Sequence, residues 1–475
     1  MTDVGVLGIG AYAPGGRIAA EEFEAARDSF QGSGIQEKAV PAPDEDVVTM
    51  AYEAGMRALD AAGVAAGDVG SLSLATTNSP VDEEDELAHL GAMFGVDEGA
   101  ARELHGGSTV AGLRALRSAV QTSRHAGPAL VVASDAPQGE PNSKIEHAAG
   151  AGAAAFVVGQ GGRVDVADMA ASAEPASGVR FRRRGKEATE SLGITAFDRK
   201  VFRETIANAV DSLTVKADDV DAASIQAPDG AAPYRVASAA GVDRSRVKQG
   251  VTVHELGDTG AASVPLGVAG ALEDGAERIL AVGYGSGSSA IAALLEVTGD
   301  VPVVSDTDGS ATLSHTEYVR RRGFLASGPP EGGGGYVSLP TLHRSLPQRY
   351  RLEAGRCPEC DHLNFPPSGA CSHCHELVSY EPVTLSKEGE LEALSVISTG
   401  GAPPEFAELQ DRSGPYATGI VAFDGPDGGS ASVPSFVINP EKRSVEVGTR
   451  VEMTIRRLYT QEGVPRYGFK VKPTA

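Results

Sequence analysis

Cysteine is missing from the first 356 of 475 residues; the four that exist are Cys357, Cys360, Cys371 and Cys374. Any mechanism that needs a thiolate attacker is thereby excluded from that long cysteine-free part. No apolar run approaches the roughly 18 residues of a membrane-spanning helix, and the opening MTDVGVLGIGAYAPGG has no basic segment followed by an apolar one. The expectation is a cytoplasmic chain with no membrane partner. Positive charge is short: 41 Lys and Arg stand against 64 Asp and Glu, for a net −23, and only ten of the basic residues are Lys. A nucleic-acid partner is disfavoured without a basic face, and the acid reads as a halophile-like surface. What remains is ordinary: 41% hydrophobic and 22% charged residues fit a folding chain, and its length implies two or three domains.

The cysteines form C-x2-C, ten intervening residues, then C-x2-C. Two tight turns carrying paired thiolates supply the tetrahedral shell that structural Zn2+ requires. A rubredoxin-like iron site has the same spacing and stays open, whereas disulfides do not suit a cytoplasmic chain. Four thiolates close the shell, so His362, His373 and His375 read as surface residues.

Before the cysteines, the pattern alternates between helical and strand periods. DEDVVTMAYEAGMRALDAA (44–62) places Val47, Val48, Ala51, Ala54, Ala58 and Leu59 at helical spacing behind an acidic start. Strands are predicted at 69–77, 128–135 and 153–159, with helices near 84–95 and 109–123. The order then repeats, with helices at 201–213, 233–240 and 260–273 and strands at 220–228, 278–287 and 290–297. Corresponding strands lie about 150 residues apart, so an internally duplicated α/β unit is the economical reading. GIGAYAP fails the dinucleotide-binding pattern, because Ala13 stands where glycine is required. SGPPEGGGG marks a linker, and five short alternating strands after residue 383 predict a small all-β barrel of OB type. The divisions are 1–165 and 166–325 for the two α/β halves, 326–345 for the linker, 346–380 for the ribbon and 381–475 for the barrel.

GIGAYAP, GIQEKAVPAPDEDVVTMAYEA, KIEHAAGAGAAAFVVG, VRFRRRG, HELGDTGAAS, YGSGSS and HTEYVRRRG together resemble archaeal hydroxymethylglutaryl-CoA synthase, of the thiolase superfamily, over about residues 3–325. RYRLEAGRC, FPP, the paired CxxC motifs and YGFKVKP resemble the zinc-ribbon and OB-fold proteins that accompany archaeal thiolases and synthases as separate chains. The resemblance implies an α/β, duplicated thiolase fold followed by the ribbon and barrel, a CoA thioester as ligand, a thiolase-type partner protein, and a homodimer or mixed assembly.

The resemblance also implies a catalytic set that this chain lacks. The nucleophilic Cys falls on Gly106, the His on Gln226, the Asn on Asp258 and the Glu on Asn78. None offers the atom the chemistry needs: no attacking thiolate, no imidazole, no neutral amide for an oxyanion, no carboxylate base. His105 and Ser108 flank the vacated place and are the candidates for chemistry without a thiol, although Ser108 and Thr109 also suit a helix N-cap. His254 reads as a packing residue. Arg182, Arg183, Arg184 and Lys186 form the densest basic cluster of the acidic part and suit the phosphates of CoA or a solvated loop. GYGSGSS (283–289) suits the lining of a thioester pocket and, equally, the tight packing that a thiolase-like fold demands near its active centre. The six basic residues between Arg450 and Lys472 form a strip for CoA or nucleic acid. The expected function is an acyl-CoA-binding scaffold or regulator of an acyl-condensing partner; the alternative is an acyltransferase working without cysteine.

Overall fold

The computed structural model describes residues 4–217, 219–325, 337–398, 400–438 and 445–474. The chain divides into two compact units, residues 1–41 with 46–315, and residues 42–45 with 316–475.

The first unit is built on a ten-stranded sheet. Its order is Ala101–His105, Ser71–Ala75, Ala129–Asp135, Gly152–Gln160, Val4–Tyr12, Val164–Ala176, Gly287–Val297, Arg278–Gly285 and Ala222–Ile225, with Val303–Asp306 also pairing with Val4–Tyr12. The predicted duplication is visible here. Ser71–Ala75 and Ala129–Asp135 pair in parallel, as do Ala222–Ile225 and Arg278–Gly285, and in each half an antiparallel strand follows.

Period-two alternation explains how the sheet separates its cores. Ile279 and Ala281 face one cluster with Ile291, Ala293 and Leu295, while Leu280, Val282 and Tyr284 face another with Ala290, Ala292 and Leu294. Both faces are apolar because both are covered. The first cluster holds the buried faces of helices Ala111–Ala126 and Ser263–Glu273, which meet through Gly112: a Cβ there would strike the Ala261 carbonyl. Helix Val47–Ala62 is capped by Asp46, whose side chain accepts from the Val48 and Thr49 amides while Thr49 Oγ1 accepts from the Asp46 amide. It ends at Gly63 in the left-handed conformation.

Sequence periodicity misses the edge strand Ala101–His105, whose few residues are half exposed, and Val164–Ala176, whose alternation is blurred by alanine. Helix Thr195–Asp211 begins six residues before its predicted start.

In the second unit, strands Glu388–Ile397, Tyr416–Asp424, Ser430–Val437, Arg450–Gln461 and Val464–Pro473 close a barrel in the order first, second, third, fifth, fourth. This is the OB-type barrel that the alternation predicts. Helix Pro404–Ser413 lies between the first two strands and was not expected. Of the linker expected at 326–345, residues 326–336 lie outside the described residues, and Leu339–Arg344 is a helix.

Of the six basic residues expected as a strip on the barrel, Arg450 is exposed and Arg457, Arg466 and Lys472 are half-exposed, but two are buried. Lys470 is 1% exposed and bonds Asp44 at 2.8 Å, and Arg456, 4% exposed, meets Glu45 at 3.2 Å. The pleat turns these side chains inward, where residues 42–45 of the same unit supply the countercharge.

Candidate functional site: a thiol-free cavity and a four-cysteine cluster

A cavity of about 690 Å³ opens in the first unit. Thr109, Gln226, Asp258 and Tyr284 line its buried end, and Lys144, Arg199, Lys200, Arg203 and Arg235 contribute exposed or half-exposed cations.

The buried end is tied together by short polar contacts. Gln226 follows strand Ala222–Ile225, is 3% exposed, and donates through Nε2 to the Gly260 carbonyl at 2.8 Å. The Gly260 amide donates to Asp258 Oδ1 at 2.9 Å. Asp258 in turn is ion-paired with Arg180. Burial, the largest influence on the Arg180 guanidinium, lowers its proton affinity, but Asp258 and then Asp135 outweigh it and hold it above the ordinary value. Asp135 is fully buried, accepts from Thr77 Oγ1 and the Ala261 amide, and is pushed upward chiefly by burial. Thr109 Oγ1 donates to the Tyr284 carbonyl at 2.6 Å.

These contacts decide what the site can do. Thr109 spends its proton on a carbonyl, and Asp258 is engaged by Arg180, so Thr109 is not a primed nucleophile and Asp258 is not an unoccupied base. A lone Asp258 would repel an oxyanion, whereas its charge is here offset by Arg180.

Of the four vacated catalytic places, Gln226 and Asp258 line the cavity. Gly106 does not: it is exposed, and left-handed Gly107 follows it. Thr109, three residues on, is the residue of that loop that shares the lining with Gln226 and Asp258. Asn78 is also outside the lining, its amide donating to the Ala136 carbonyl at 2.8 Å and accepting from the Ala136 amide at 3.2 Å.

His105 and Ser108 are not in the lining either. His105 Nε2 lies 3.3 Å from Glu103, with its proton affinity lowered mainly by burial, and Ser108 Oγ donates to the Ser286 carbonyl at 3.4 Å. The N-cap reading of Ser108 and Thr109 fails, because helix Ala111–Ala126 has Val110 at its cap and both hydroxyls bond residues 284–286 instead. That loop reaches the cavity through Ser286, as the GYGSGSS motif suggested. His254 packs as expected, 2.8 Å from the Tyr234 hydroxyl.

Arg182, Arg183, Arg184 and Lys186 are exposed and outside the cavity lining; Arg182 donates to the Thr77 carbonyl at 2.6 Å and Arg183 pairs with Glu190 at 2.8 Å. The cations that do line it were legible only as DRKVFRE, where Arg199, Lys200 and Arg203 recur at helical spacing. Lys144 and Arg235 were missed because only the fold brings them beside Asp229, at 3.4 and 3.2 Å.

The second site is the cysteine cluster. The four Sγ atoms lie within 4.8 Å of one another, with Cys357 and Cys371 buried. Asp361 and His375, each directly after a CxxC pair, adopt the left-handed conformation and donate amides back to the carbonyls of Cys357 and Cys371. The two turns thus aim four sulfurs at one point. Asn364 Nδ2 and the His373 amide approach Cys371 Sγ at 3.5 Å, which suits a thiolate. The donor set fits a tetrahedral metal. His373 and His375 are exposed and His362 half-buried, stacked on His373 at 5.3 Å.

Comparison with known proteins bears on the ribbon, the family and the fold. Residues 344–378 match the family model described as "ChsH2, rubredoxin-like zinc ribbon domain". The hydroxymethylglutaryl-CoA synthase of Caldivirga maquilingensis is 32% identical over 322 residues, spanning 63% of this chain and 89% of that protein. The chain belongs to the hydroxymethylglutaryl-CoA synthase family. The Archaeoglobus fulgidus synthase is 29% identical over 62% of this chain and 89% of its own length. Among solved structures, the fold is similar to MvaS in complex with 3-hydroxy-3-methylglutaryl coenzyme A, at 19% identity and a TM-score of 0.57 over 68% of this chain and 92% of that one. It is also similar to an HMG-CoA synthase complexed with CoA, at 17% identity and a TM-score of 0.60 over 71% and 94%. This synthase-family chain therefore has a thiolase-like fold, a zinc ribbon and a closed barrel. Among its described residues, no helix is long and apolar enough to cross a membrane.

Proposed function

We propose that this synthase-family chain binds acyl-CoA without forming an acyl-enzyme, and serves as a scaffold or regulatory subunit for a thiolase-type condensing partner. The observation that carries the reading is the thiol-free buried end of the cavity, where Thr109, Gln226 and the Arg180–Asp258 pair stand. CoA enters acyl group first, which leaves its phosphates to Lys144, Arg199, Lys200, Arg203 and Arg235. The exposed cluster Arg182–Lys186 adds a longer-range attraction rather than direct contact. The cysteines hold a structural Zn2+, which stabilises the ribbon by tying its two turns together.

Incubation with radiolabelled acetyl-CoA followed by acid quench tests the reading. Acyl-CoA is expected to bind and leave no acid-stable adduct. An adduct abolished by Ser108→Ala would establish the alternative, an acyltransferase using that hydroxyl. Affinity purification from native extract should recover a thiolase subunit in a mixed assembly; a homodimer or lone chain without such a partner would overturn the scaffold role.

A further inference from the structure

The second unit holds a cavity of its own, of about 610 Å³, in which the proposed function has no part. Its origin lies in the pleat of the barrel strands. Leu391, Val421 and Val433 pair across the first three strands and are at most 1% exposed. Two positions along, the same faces carry Gly419 and Ser435, which pair with each other and are too small to fill the space that the valines fill. Leu394, Leu458, Phe365, Phe436 and Phe469 make most of the remaining wall apolar, and helix Leu346–Arg351 adds Arg349. Among the described residues that line the cavity, Arg349 alone is ionisable. Its Nε donates to Ser345 Oγ at 2.9 Å, and among the described residues no carboxylate pairs with it. In a chain of net charge −23, this half-buried guanidinium stands without a countercharge.

We infer that this cavity binds a free organic acid, with one carboxylate at Arg349 and an apolar body against the phenylalanines. Its volume falls within the range of small-molecule sites, and a barrel mouth is a usual place for one. The guanidinium fork matches a carboxylate, and apolar walls strengthen that pairing by keeping water away. CoA and its thioesters do not suit the lining, because several phosphates would meet a single cation. A neutral lipid or alcohol fits the walls but leaves Arg349 unpaired. The site lies wholly in the second unit, so it stands apart from acyl-CoA binding in the first.

Calorimetric titration of the full zinc-loaded chain with octanoate, 4-phenylbutyrate and the amide of each tests this directly. The tighter-binding acid, which tells an alkyl body from an aryl one, is expected to bind at least about tenfold more tightly than its own uncharged amide. Hydrogen exchange followed by mass spectrometry should show that acid protecting strands Glu388–Ile397 and Ser430–Val437, and Arg349→Gln should remove its advantage over the amide. Equal affinities of acid and amide, no binding of either acid, or protection confined to the first unit would overturn the inference. So would an advantage that survives in a folded Arg349→Gln, or stronger protection of the same strands by octanoyl-CoA than by octanoate. The amide comparison and the exchange map use the unaltered chain, so they decide the matter even where the variant does not fold.

Discussion

Replacing Asp44 by Asn tests the electrostatic account of the barrel. Asp44 is 6% exposed and Lys470 1% exposed, 2.8 Å apart, with the Arg456–Glu45 pair at 3.2 Å in the same unit. Burial, the strongest influence on Asp44, disfavours its charge, but Lys470 and Arg456 outweigh it and hold the carboxyl below its ordinary value. Asn removes the countercharge and leaves Lys470 buried and uncompensated, at a cost of about 3–5 kcal/mol. Lys470→Met should cost less, because Arg456 still offsets part of the Asp44 charge. The double variant Asp44→Asn/Lys470→Met should recover most of the loss, since neither charge remains. Hydrogen exchange of strand Arg450–Gln461, followed by mass spectrometry, reads the local stability: a loss of 3 kcal/mol accelerates exchange by about two orders of magnitude. The sign with pH follows from the lowered carboxyl. The contribution is present in full above the unfolded value near about 4 and disappears as pH falls through the folded value. The reasoning is refuted if Asp44→Asn costs less than about 1 kcal/mol, or if the double variant is as unstable as the sum of the two single changes.

Other outcomes follow from the same structure. Metal analysis should find about one zinc per chain, and Cys371→Ser should release it and expose residues 353–384 to proteolysis; full zinc retention in that variant would contradict a four-thiolate site. Glu86 is 6% exposed, and burial above all raises its carboxyl from 4.5 to about 7. The native state therefore keeps a proton that the unfolded state gives up, and stability falls as pH rises from about 4.5 and levels off beyond about 7. Glu86→Gln should be more stable by up to ~3 kcal/mol at pH 8 and no different at pH 4; equal denaturation midpoints at pH 8 would rule this out. Gly112→Val should fail to fold or lose most stability, because its side chain meets the Ala261 carbonyl and Pro265 where two buried helices touch. A soluble variant with unchanged melting temperature would argue against that helix contact.

Strong local patterns were legible without coordinates. The five barrel strands and the helix at Val47–Ala62 follow from periods of two and 3.6 residues, and the strand pairs repeated in both halves from short, nearly continuous apolar runs. The edge strand Ala101–His105 was not legible, because a few half-exposed residues carry no period of their own. The cavity was only half legible: Gln226 and Asp258 stood in recognisable motifs, but the turn at left-handed Gly107 hid that Thr109, and not Gly106, lines the cavity with them.

The sequence alone determined the absence of a thiol from the first 356 residues and the grouping of all four cysteines into one metal-binding pattern, because composition and spacing are covalent facts. Tertiary structure alone decided which cations line the cavity, that Arg180 neutralises Asp258, and that Lys470 lies inside the second unit rather than on its surface. Each of these depends on a partner distant in the chain, and only folding brings two such charges into the same low-dielectric space.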